Sequence, residues 1–239
     1  MSSIALTLRS ALILRAMRHV VCRMLAVLRV GIVLPIAAVL LVGQGDAWES
    51  QRLLAAAQKM GPNTLVQAQA MVQMVAAAAN ESEQNRLRTV NTFFNRRIEY
   101  RDDRDVWGVS DYWATPLESL SKGAGDCEDY AIAKYMALIA AGTPSARMRL
   151  VYVRADMGGS VVAHMVLAYY AEPTAEPVIL DNLVNDIRPA SRRPDLAPVF
   201  SFNAEGLWQG VAGASAGDPV ARLSRWRDLL AKVRAEGWW

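Results

Sequence analysis

One cysteine of the sequence, Cys127, lies where a nucleophile could be activated. It follows Gly125 and Asp126 and opens a run of helix-forming residues, so we expect it on the first turn of a helix. The partial positive charge at a helix N-terminus favours a thiolate over a thiol. Asp126 is predicted to cap this helix with its carboxylate, and Asp129 completes a variant of the capping box. The alternative is that Cys127 is a small buried hydrophobic residue, as cysteines often are.

A cysteine nucleophile requires a base and a group that orients the base, and two later residues have the chemistry for these roles. His164 lies in a predicted strand over residues 161–170, and Asp181 lies at the end of the next predicted strand, 177–182. Neighbouring strands lie about 4.8 Å apart, so the two side chains can meet if the register is right. An imidazole titrates near neutrality, and a carboxylate can fix its tautomer. Each residue alone is more often structural, whereas their combination with Cys127 favours catalysis.

The first 47 residues have the pattern of an export signal. Five arginines precede or flank the start of an apolar run over residues 30–42, and small residues follow at 43–47. We therefore predict a signal peptide at 1–47 and one folded domain at 48–239. The alternative is an uncleaved membrane anchor, although the run contains Pro35 and is shorter than the roughly 20 residues of a spanning helix. The sequence after residue 47 keeps one cysteine and one histidine, so its thiol has no partner for an internal disulfide.

The charge of the chain argues against a nucleic-acid partner. The formal net charge is +3, but the residues from 48 onward carry 21 basic and 22 acidic side chains, which makes this part nearly neutral. Its basic residues form no stripe and are not interleaved with aromatic residues, so nucleic-acid binding is not expected. A hydrophobic content of 53% fits a globular chain with an added apolar segment.

The hydrophobic pattern predicts helices first, then strands, then a final helix. The first helices are predicted at 48–60, at 64–79 with Asn63 as the cap, and at 83–98. After the cysteine helix, strands are predicted at 149–154, 161–170, 177–182 and 199–202, and the last helix begins at Asp218. This order predicts an α+β fold whose short strand spacings favour an antiparallel meander.

The stretch between the third helix and Cys127, residues 99–125, is predicted to be mostly loop. Its charge cluster, residues 101–105, is typical of a solvated segment. Trp107 and Trp113 are less usual in a loop: they either form a lid or groove wall next to the cysteine, or they cover the core.

Several segments resemble the bacterial transglutaminase-like cysteine proteinases, and among them the periplasmic proteases that release surface adhesins. The matching segments are Asp111–Pro116, Gly125–Tyr135, His164–Leu167 and Leu180–Asn182. The resemblance implies a papain- and transglutaminase-like fold, in which N-terminal helices and a cysteine-bearing helix pack on an antiparallel sheet. It also implies Cys127 as the nucleophile, His164 as the base and Asp181 as the residue that orients the base.

The resemblance further implies a calcium ion held by Asp126, Glu128 and Asp129. Carboxylate oxygens are hard ligands that suit calcium. Three carboxylates beside a thiol raise its pKa by charge repulsion, and a bound divalent ion would offset that effect. The alternative is that these acids only cap the helix and favour its dipole. The sequence contains no twelve-residue EF-hand loop, so the ligands must be assembled by the fold.

From the residues and the resemblance together we expect a periplasmic, calcium-dependent cysteine endopeptidase. The resemblance implies cleavage of the N-terminal region of a large surface adhesin, which releases the adhesin and disperses the biofilm. It implies a partner as well, an inner-membrane cyclic-di-GMP receptor that sequesters the protease. Two alternatives remain open: a transglutaminase-type acyl transferase that uses the same triad, and a non-catalytic binding module of the same fold, anchored by residues 30–42.

Overall fold

The computed structural model describes residues 48–211 and 215–238 of the chain. The predicted export segment, residues 1–47, lies outside the described residues. Among the helices of the described part, none has both the length and the hydrophobicity that a membrane crossing requires.

Three helices open the fold, as predicted. They are α1 (Ser50–Met60), α2 (Pro62–Ala79) and α3 (Glu83–Arg97). The predicted cap of α2 is wrong, because the cap position is Gly61 and not Asn63. Pro62 occupies the first helical position, where a missing backbone N–H does not matter, and Gly61 adopts a φ of 127° that favours glycine.

The segment predicted as mostly loop contains two short helices and two short strands. Strand β1 (Glu99–Tyr100) pairs in parallel with β2 (Ala124–Gly125), and between them lie helices α4 (Asp103–Val106) and α5 (Pro116–Lys122). Helix α5 has a full capping box, in which Thr115 and Glu118 bind each other's backbone N–H groups. This motif is a sequence signal of a helix start, and our prediction of a loop overlooked it.

The cysteine helix, α6, spans Cys127–Ala140 and is buried over most of its length. It contacts α3 and the sheet strands β3 and β4, which have the bounds Met148–Asp156 and Val161–Tyr169. The predicted capping is wrong in one respect: Asp126 occupies the cap position, but its side chain makes no capping hydrogen bond. The helix ends before Gly142, as predicted.

The sheet has seven strands in the described part of the chain, all paired antiparallel with their neighbours. Their spatial order is β6-β5-β4-β3-β7-β8-β9. The remaining strands are β5 (Val178–Leu180), β6 (Arg188–Pro189), β7 (Leu196–Phe202), β8 (Leu207–Gln209) and β9 (Ser215–Gly217). The predicted α+β fold and the meander of β3, β4 and β5 are confirmed.

The chain ends in two helices where one was predicted, α7 (Pro219–Arg222) and α8 (Ser224–Glu236). Helix α8 is anchored in the core by the fully buried Trp226, whose ring packs against Phe202 and Tyr135. Trp113 stacks on Phe202 with ring centroids 5.7 Å apart, so this tryptophan helps to cover the core.

Helix α8 also holds the segment that leads into α5. Arg225 pairs with Asp111 at 3.0 Å, and Lys232 Nζ donates to Glu118 at 2.8 Å and to the carbonyl oxygen of Trp113 at 2.7 Å. Near the end of the helix, the Thr115 hydroxyl donates to Glu236 at 2.6 Å. These contacts fix residues 111–118 against the rest of the domain.

Candidate active site

Cys127 occupies the first position of α6 and is partly buried. Its thiol donates to Glu128 Oε2 at 3.0 Å. The backbone N–H of Met165 on β4 faces the same sulfur. The thiol therefore lies beside the residue that follows His164 in the chain.

The surroundings of Cys127 raise the pKa of its thiol. Burial is the largest cause, followed by the nearby carboxylates of Glu128 and Asp126. The Met165 N–H acts in the opposite direction but is outweighed. The positive end of the helix is therefore not sufficient to activate this thiol while the neighbouring carboxylates are uncompensated.

His164 and Asp181 form a hydrogen bond in the interior of the protein. The distance between His164 Nε2 and Asp181 Oδ1 is 2.8 Å, and both residues are at most 3% exposed. The strand register explains the contact: Leu167 on β4 pairs with Leu180 on β5, so the next residue of the chain, Asp181, lies diagonally from His164 on the same face.

The carboxylate of Asp181 is held in its charged form. Burial favours the neutral acid, but hydrogen bonds from His164, Arg193 and the Leu183 backbone N–H outweigh burial and lower the pKa of Asp181 to about 2. Arg193 Nη2 donates to Oδ2 at 2.7 Å, and the Leu183 N–H donates to Oδ1 at 3.1 Å. An ionised carboxylate can fix the tautomer of the imidazole beside it.

Two buried cations near Asp181 were missed by the sequence analysis. Lys134 on α6 is fully buried, and burial lowers its pKa to about 7 although Asp181 acts to raise it. The sequence did contain a signal for this residue, because Lys134 is the only charged residue in the apolar stretch of a helix that was predicted to be buried. Arg193 follows the short 3-10 helix Ala190–Arg192, and nothing in the local pattern distinguishes it from its exposed neighbour Arg192.

The acids predicted as metal ligands lie together at the start of α6, and further acids join them. One carboxylate oxygen each of Asp126, Asp129 and Asp103 lie within 4.8 Å of one another. A second such group consists of Asp103, Asp111 and Glu128. Asp103 was missed because the charge run at residues 101–105 was interpreted as a solvated loop, and Asp111 because its segment was considered only for its aromatic residues and its resemblance to the family.

The cluster has oxygens free for a cation. Within residues 48–211 and 215–238, one buried oxygen each of Asp103, Asp126 and Asp129 has no hydrogen-bond partner. Burial and the neighbouring negative charges raise the pKa of Asp126 to about 10 and that of Asp129 well above its usual value. Such buried acids without partners are unfavourable unless they are protonated or bound to a metal.

The backbone around the cluster also fits a metal site. The N–H of Ala114 donates to Asp129 Oδ1 at 2.8 Å, and the N–H of Tyr112 donates to Asp103. At Gly125 a Cβ atom would lie 2.5 Å from Asp129 Oδ2, so only glycine allows this approach. The residues therefore fit a calcium ion held by carboxylates of Asp103, Asp126, Glu128 and Asp129.

A bound divalent ion would place positive charge next to Cys127 and favour its thiolate. The carboxylates of Asp103 and Asp129 are anchored by the backbone N–H groups of Tyr112 and Ala114, and the contacts of helix α8 hold this backbone in place.

The raised pKa values predict how calcium and pH act together on stability. Without a cation, the folded state binds protons at Asp126 and Asp129 more tightly than the unfolded chain does, so stability is expected to fall as the pH rises from the usual aspartate pKa of 3.8 towards the folded-state pKa, which is about 10 for Asp126. Calcium replaces those protons and should therefore stabilise the protein more at about pH 8 than at about pH 5. Thermal denaturation with calcium or with EGTA at both pH values measures this. An equal effect of calcium at both would contradict the prediction, and magnesium serves as the control ion.

A cysteine at the start of a helix that packs on an antiparallel sheet is the arrangement of one class of proteins, those with a transglutaminase-like fold. Within this class, a family model described as bacterial transglutaminase-like cysteine proteinase matches residues 63–195, more than half of the chain. The chain belongs to this family of cysteine proteinases and is therefore an enzyme.

Solved structures of LapG from Legionella pneumophila are similar to this chain. One is 37% identical with a TM-score of 0.66, and the match covers 77% of this chain and 96% of that one. Calcium-bound LapG is 38% identical with a TM-score of 0.67, covering 77% and 98% of the two chains. EGTA-treated LapG is also 38% identical, with a TM-score of 0.68 and coverage of 77% and 96%. A comparison with curated proteins found no match.

Proposed function

We propose that the protein is a calcium-dependent cysteine endopeptidase in which Cys127, His164 and Asp181 form the catalytic triad. The observation that carries this proposal is the buried hydrogen bond of 2.8 Å between His164 and Asp181, on the strand whose next residue, Met165, faces the Cys127 thiol. A buried, ionised aspartate paired with a histidine is the arrangement that a thiol nucleophile needs for its base.

In the proposed mechanism, His164 takes the proton of the Cys127 thiol, and the sulfur attacks the carbonyl carbon of the peptide bond. The backbone N–H of Cys127, at the helix start, helps to stabilise the resulting oxyanion. His164 then gives its proton to the leaving amine as the C–N bond breaks, which leaves a thioester on Cys127. A water molecule loses a proton to His164 and attacks the thioester, and the carboxylic acid leaves as the thiol is restored. Asp181 keeps the imidazole in the required tautomer throughout.

Two observations support calcium: the acidic cluster and the solved relatives. The cluster offers buried oxygens that have no hydrogen-bond partner among the described residues, and LapG has been solved both with calcium and after EGTA treatment. We propose Asp103, Asp126, Glu128 and Asp129 as ligands. This set keeps the three residues predicted from the sequence and adds Asp103.

The proposed substrate is the N-terminal region of a large surface adhesin, cut in the periplasm so that the adhesin and the biofilm are released. The proposed partner is an inner-membrane cyclic-di-GMP receptor that sequesters the protease. Both proposals are supported by the resemblance of the segments around Cys127, His164 and Asp181 to the adhesin-releasing proteases. The apolar segment at residues 30–42 supports export.

The test is to incubate the purified full chain and calcium with a recombinant N-terminal adhesin fragment and to measure product masses. Hydrolysis adds the mass of one water across the two fragments, whereas acyl transfer to an amine loses ammonia. We expect two fragments whose summed mass exceeds the substrate by one water. A crosslinked product that has lost ammonia would instead identify an acyl transferase.

Calcium is also expected to activate the thiol itself. If the ion offsets the charge of the neighbouring carboxylates, iodoacetamide should alkylate Cys127 at least about tenfold faster at neutral pH with calcium than with EGTA, because one pKa unit changes the thiolate fraction about tenfold. The Glu128→Ala variant should lose most of this calcium dependence. Equal rates with calcium and with EGTA in the unaltered protein would contradict the prediction. Mass spectrometry separates the alkylation of Cys127 from that of Cys22.

A further inference from the structure

A second buried ion pair meets the carboxylate that His164 contacts. Arg193 Nη2 donates to Asp181 Oδ2 at 2.7 Å, while His164 Nε2 lies 2.8 Å from the other oxygen, Oδ1. The Arg193 side chain is 3% exposed and the Asp181 side chain is fully buried. The two oxygens of Asp181 therefore have different partners, and neither faces water.

Arg193 is itself held in place by a second acid. Its Nε donates to both oxygens of Asp195, at 3.0 Å and 3.1 Å, and its Nη2 donates to one of them at 2.7 Å. The backbone of this turn is fixed to the sheet, because the N–H of Asp156 at the end of β3 donates to the carbonyl oxygen of Asp195 at 2.8 Å. The contacts run from the half-exposed Asp195 inward through Arg193 and Asp181 to His164.

A gain in folding stability does not explain why Arg193 and Asp181 form an ion pair in the interior. Buried ion pairs are expensive to desolvate, and well-packed apolar residues often stabilise a protein as much or more. The other titratable groups that face Asp181 are His164 from β4 and Lys134 from α6. Lys134 Nζ makes no hydrogen bond within the described residues, so it supplies charge near Asp181 but does not orient the carboxylate.

We propose that Arg193 is a positioning residue for the cleavage reaction, because it holds the Asp181 carboxylate so that Oδ1 stays aimed at His164 Nε2. The proposal rests on the proposed function of the triad. Without Arg193, Oδ2 would be a buried acceptor without a donor, and the carboxylate could turn away from the imidazole. A small loss of alignment in a catalytic group can reduce the rate on the order of 100-fold.

The variant Arg193→Met tests the proposal, because methionine is unbranched and apolar and removes both the charge and the donors. We expect kcat for the adhesin fragment to fall on the order of 100-fold with KM little changed. Arg193→Lys should recover part of the loss, and Asp195→Asn should show a smaller loss in the same direction. The matched control is Arg192→Met, at the exposed neighbouring arginine, which should behave as the unaltered protein.

A second readout does not depend on any substrate. The chain has two histidines, so an untagged full-length protein labelled with ¹⁵N-histidine gives two sets of ring signals, and His164→Gln identifies one of them. We expect the His164 Nε2–H signal to shift and to exchange faster with water in Arg193→Met. Loss of the hydrogen bond to Asp181 is the physical reason.

The outcomes separate the two proposals. An unchanged kcat and an unchanged His164 spectrum in folded Arg193→Met overturn the positioning role, even if the unaltered protein cleaves the fragment. An activity loss that only follows a loss of folded protein, without rescue by lysine, overturns it as well. If Arg193→Met does not fold, Arg193→Lys and Asp195→Asn decide by the same two readouts. If the unaltered protein does not cleave the fragment, but the His164 Nε2–H signal still shifts and exchanges faster in Arg193→Met, the proposed function is overturned and the positioning of Asp181 by Arg193 is not.

Discussion

Replacement of Cys127 by alanine is expected to abolish peptide cleavage while leaving the fold intact. The variant loses the sulfur that forms the thioester, and no other cysteine or nucleophilic thiol lies in the described part of the chain. Removing the nucleophile of a triad lowers kcat by on the order of 10⁴-fold or more. Alanine is favourable in a helix, and Cys127 is only partly buried, so we expect unfolding free energy to change by no more than about 1 kcal/mol.

The measurement is the rate of adhesin-fragment cleavage by mass spectrometry, with thermal denaturation as the check on folding. The matched control is Cys22→Ala, which removes the other cysteine of the chain and should leave cleavage unchanged. Full activity in Cys127→Ala would end the enzyme mechanism as proposed. Loss of activity in Cys22→Ala alone would point to a different thiol.

The second large effect is expected from Asp181→Asn. An asparagine cannot stabilise the imidazolium by charge and can favour the wrong tautomer, so kcat should fall on the order of 10⁴-fold. The same substitution leaves Arg193 without one of its two acids and Lys134 without a nearby negative charge. Removing one partner of a buried ion pair typically destabilises a protein by about 3–5 kcal/mol. Asp181→Asn should therefore be both inactive and less stable, unlike Cys127→Ala.

The pH dependence of stability tests the charged state of Asp181. Its folded-state pKa, about 2, lies below the usual value of 3.8, so ionised Asp181 stabilises the protein above that value. The stability difference between the unaltered protein and Asp181→Asn should shrink as the pH falls from about 4 towards 2. Asp186→Asn is the matched control, because its exposed pair with Arg188 contributes at most about 1 kcal/mol. A difference that is constant with pH would contradict the assigned ionisation.

The sequence predicted the α+β fold class and the meander because the hydrophobic period and the turn residues agreed along most of the chain, but the short strands at 188–189, 207–209 and 215–217 were not predicted. Alternation of apolar residues predicted the strands, and their short spacings predicted the meander. The position of Asp181 at a strand end allowed its contact with His164 to be anticipated. The segment from residue 99 to 125 was predicted less well. Its helices are only one or two turns long, and such short elements are stabilised by their contacts and caps more than by a periodic pattern.

The surroundings of the site were harder to predict, because they depend on contacts between distant segments. Asp103 reaches the start of α6 only because β1 and β2 bring the two segments together. Arg193 reaches Asp181 only through the path of the turn before β7. Neither contact leaves a local signal, whereas Lys134 did: a charged residue in a predicted buried helix requires a partner or a reason.

Helix α6 carries Cys127, the acids that follow it and Lys134 on one rigid rod. With a rise of about 1.5 Å per residue, Cys127 and Lys134, seven positions apart in the helix, are separated by about 10 Å along its axis. An axial slide of this helix moves the backbone positions of the cysteine, the acids and the lysine by the same displacement, and a rotation turns them by the same angle, so a shift of the helix changes all of them together. For protein engineering, the smallest portable unit therefore contains the whole helix together with strands β4 and β5, because Asp181 follows β5. Grafting only the side chains onto another scaffold would omit the backbone that fixes their relative positions.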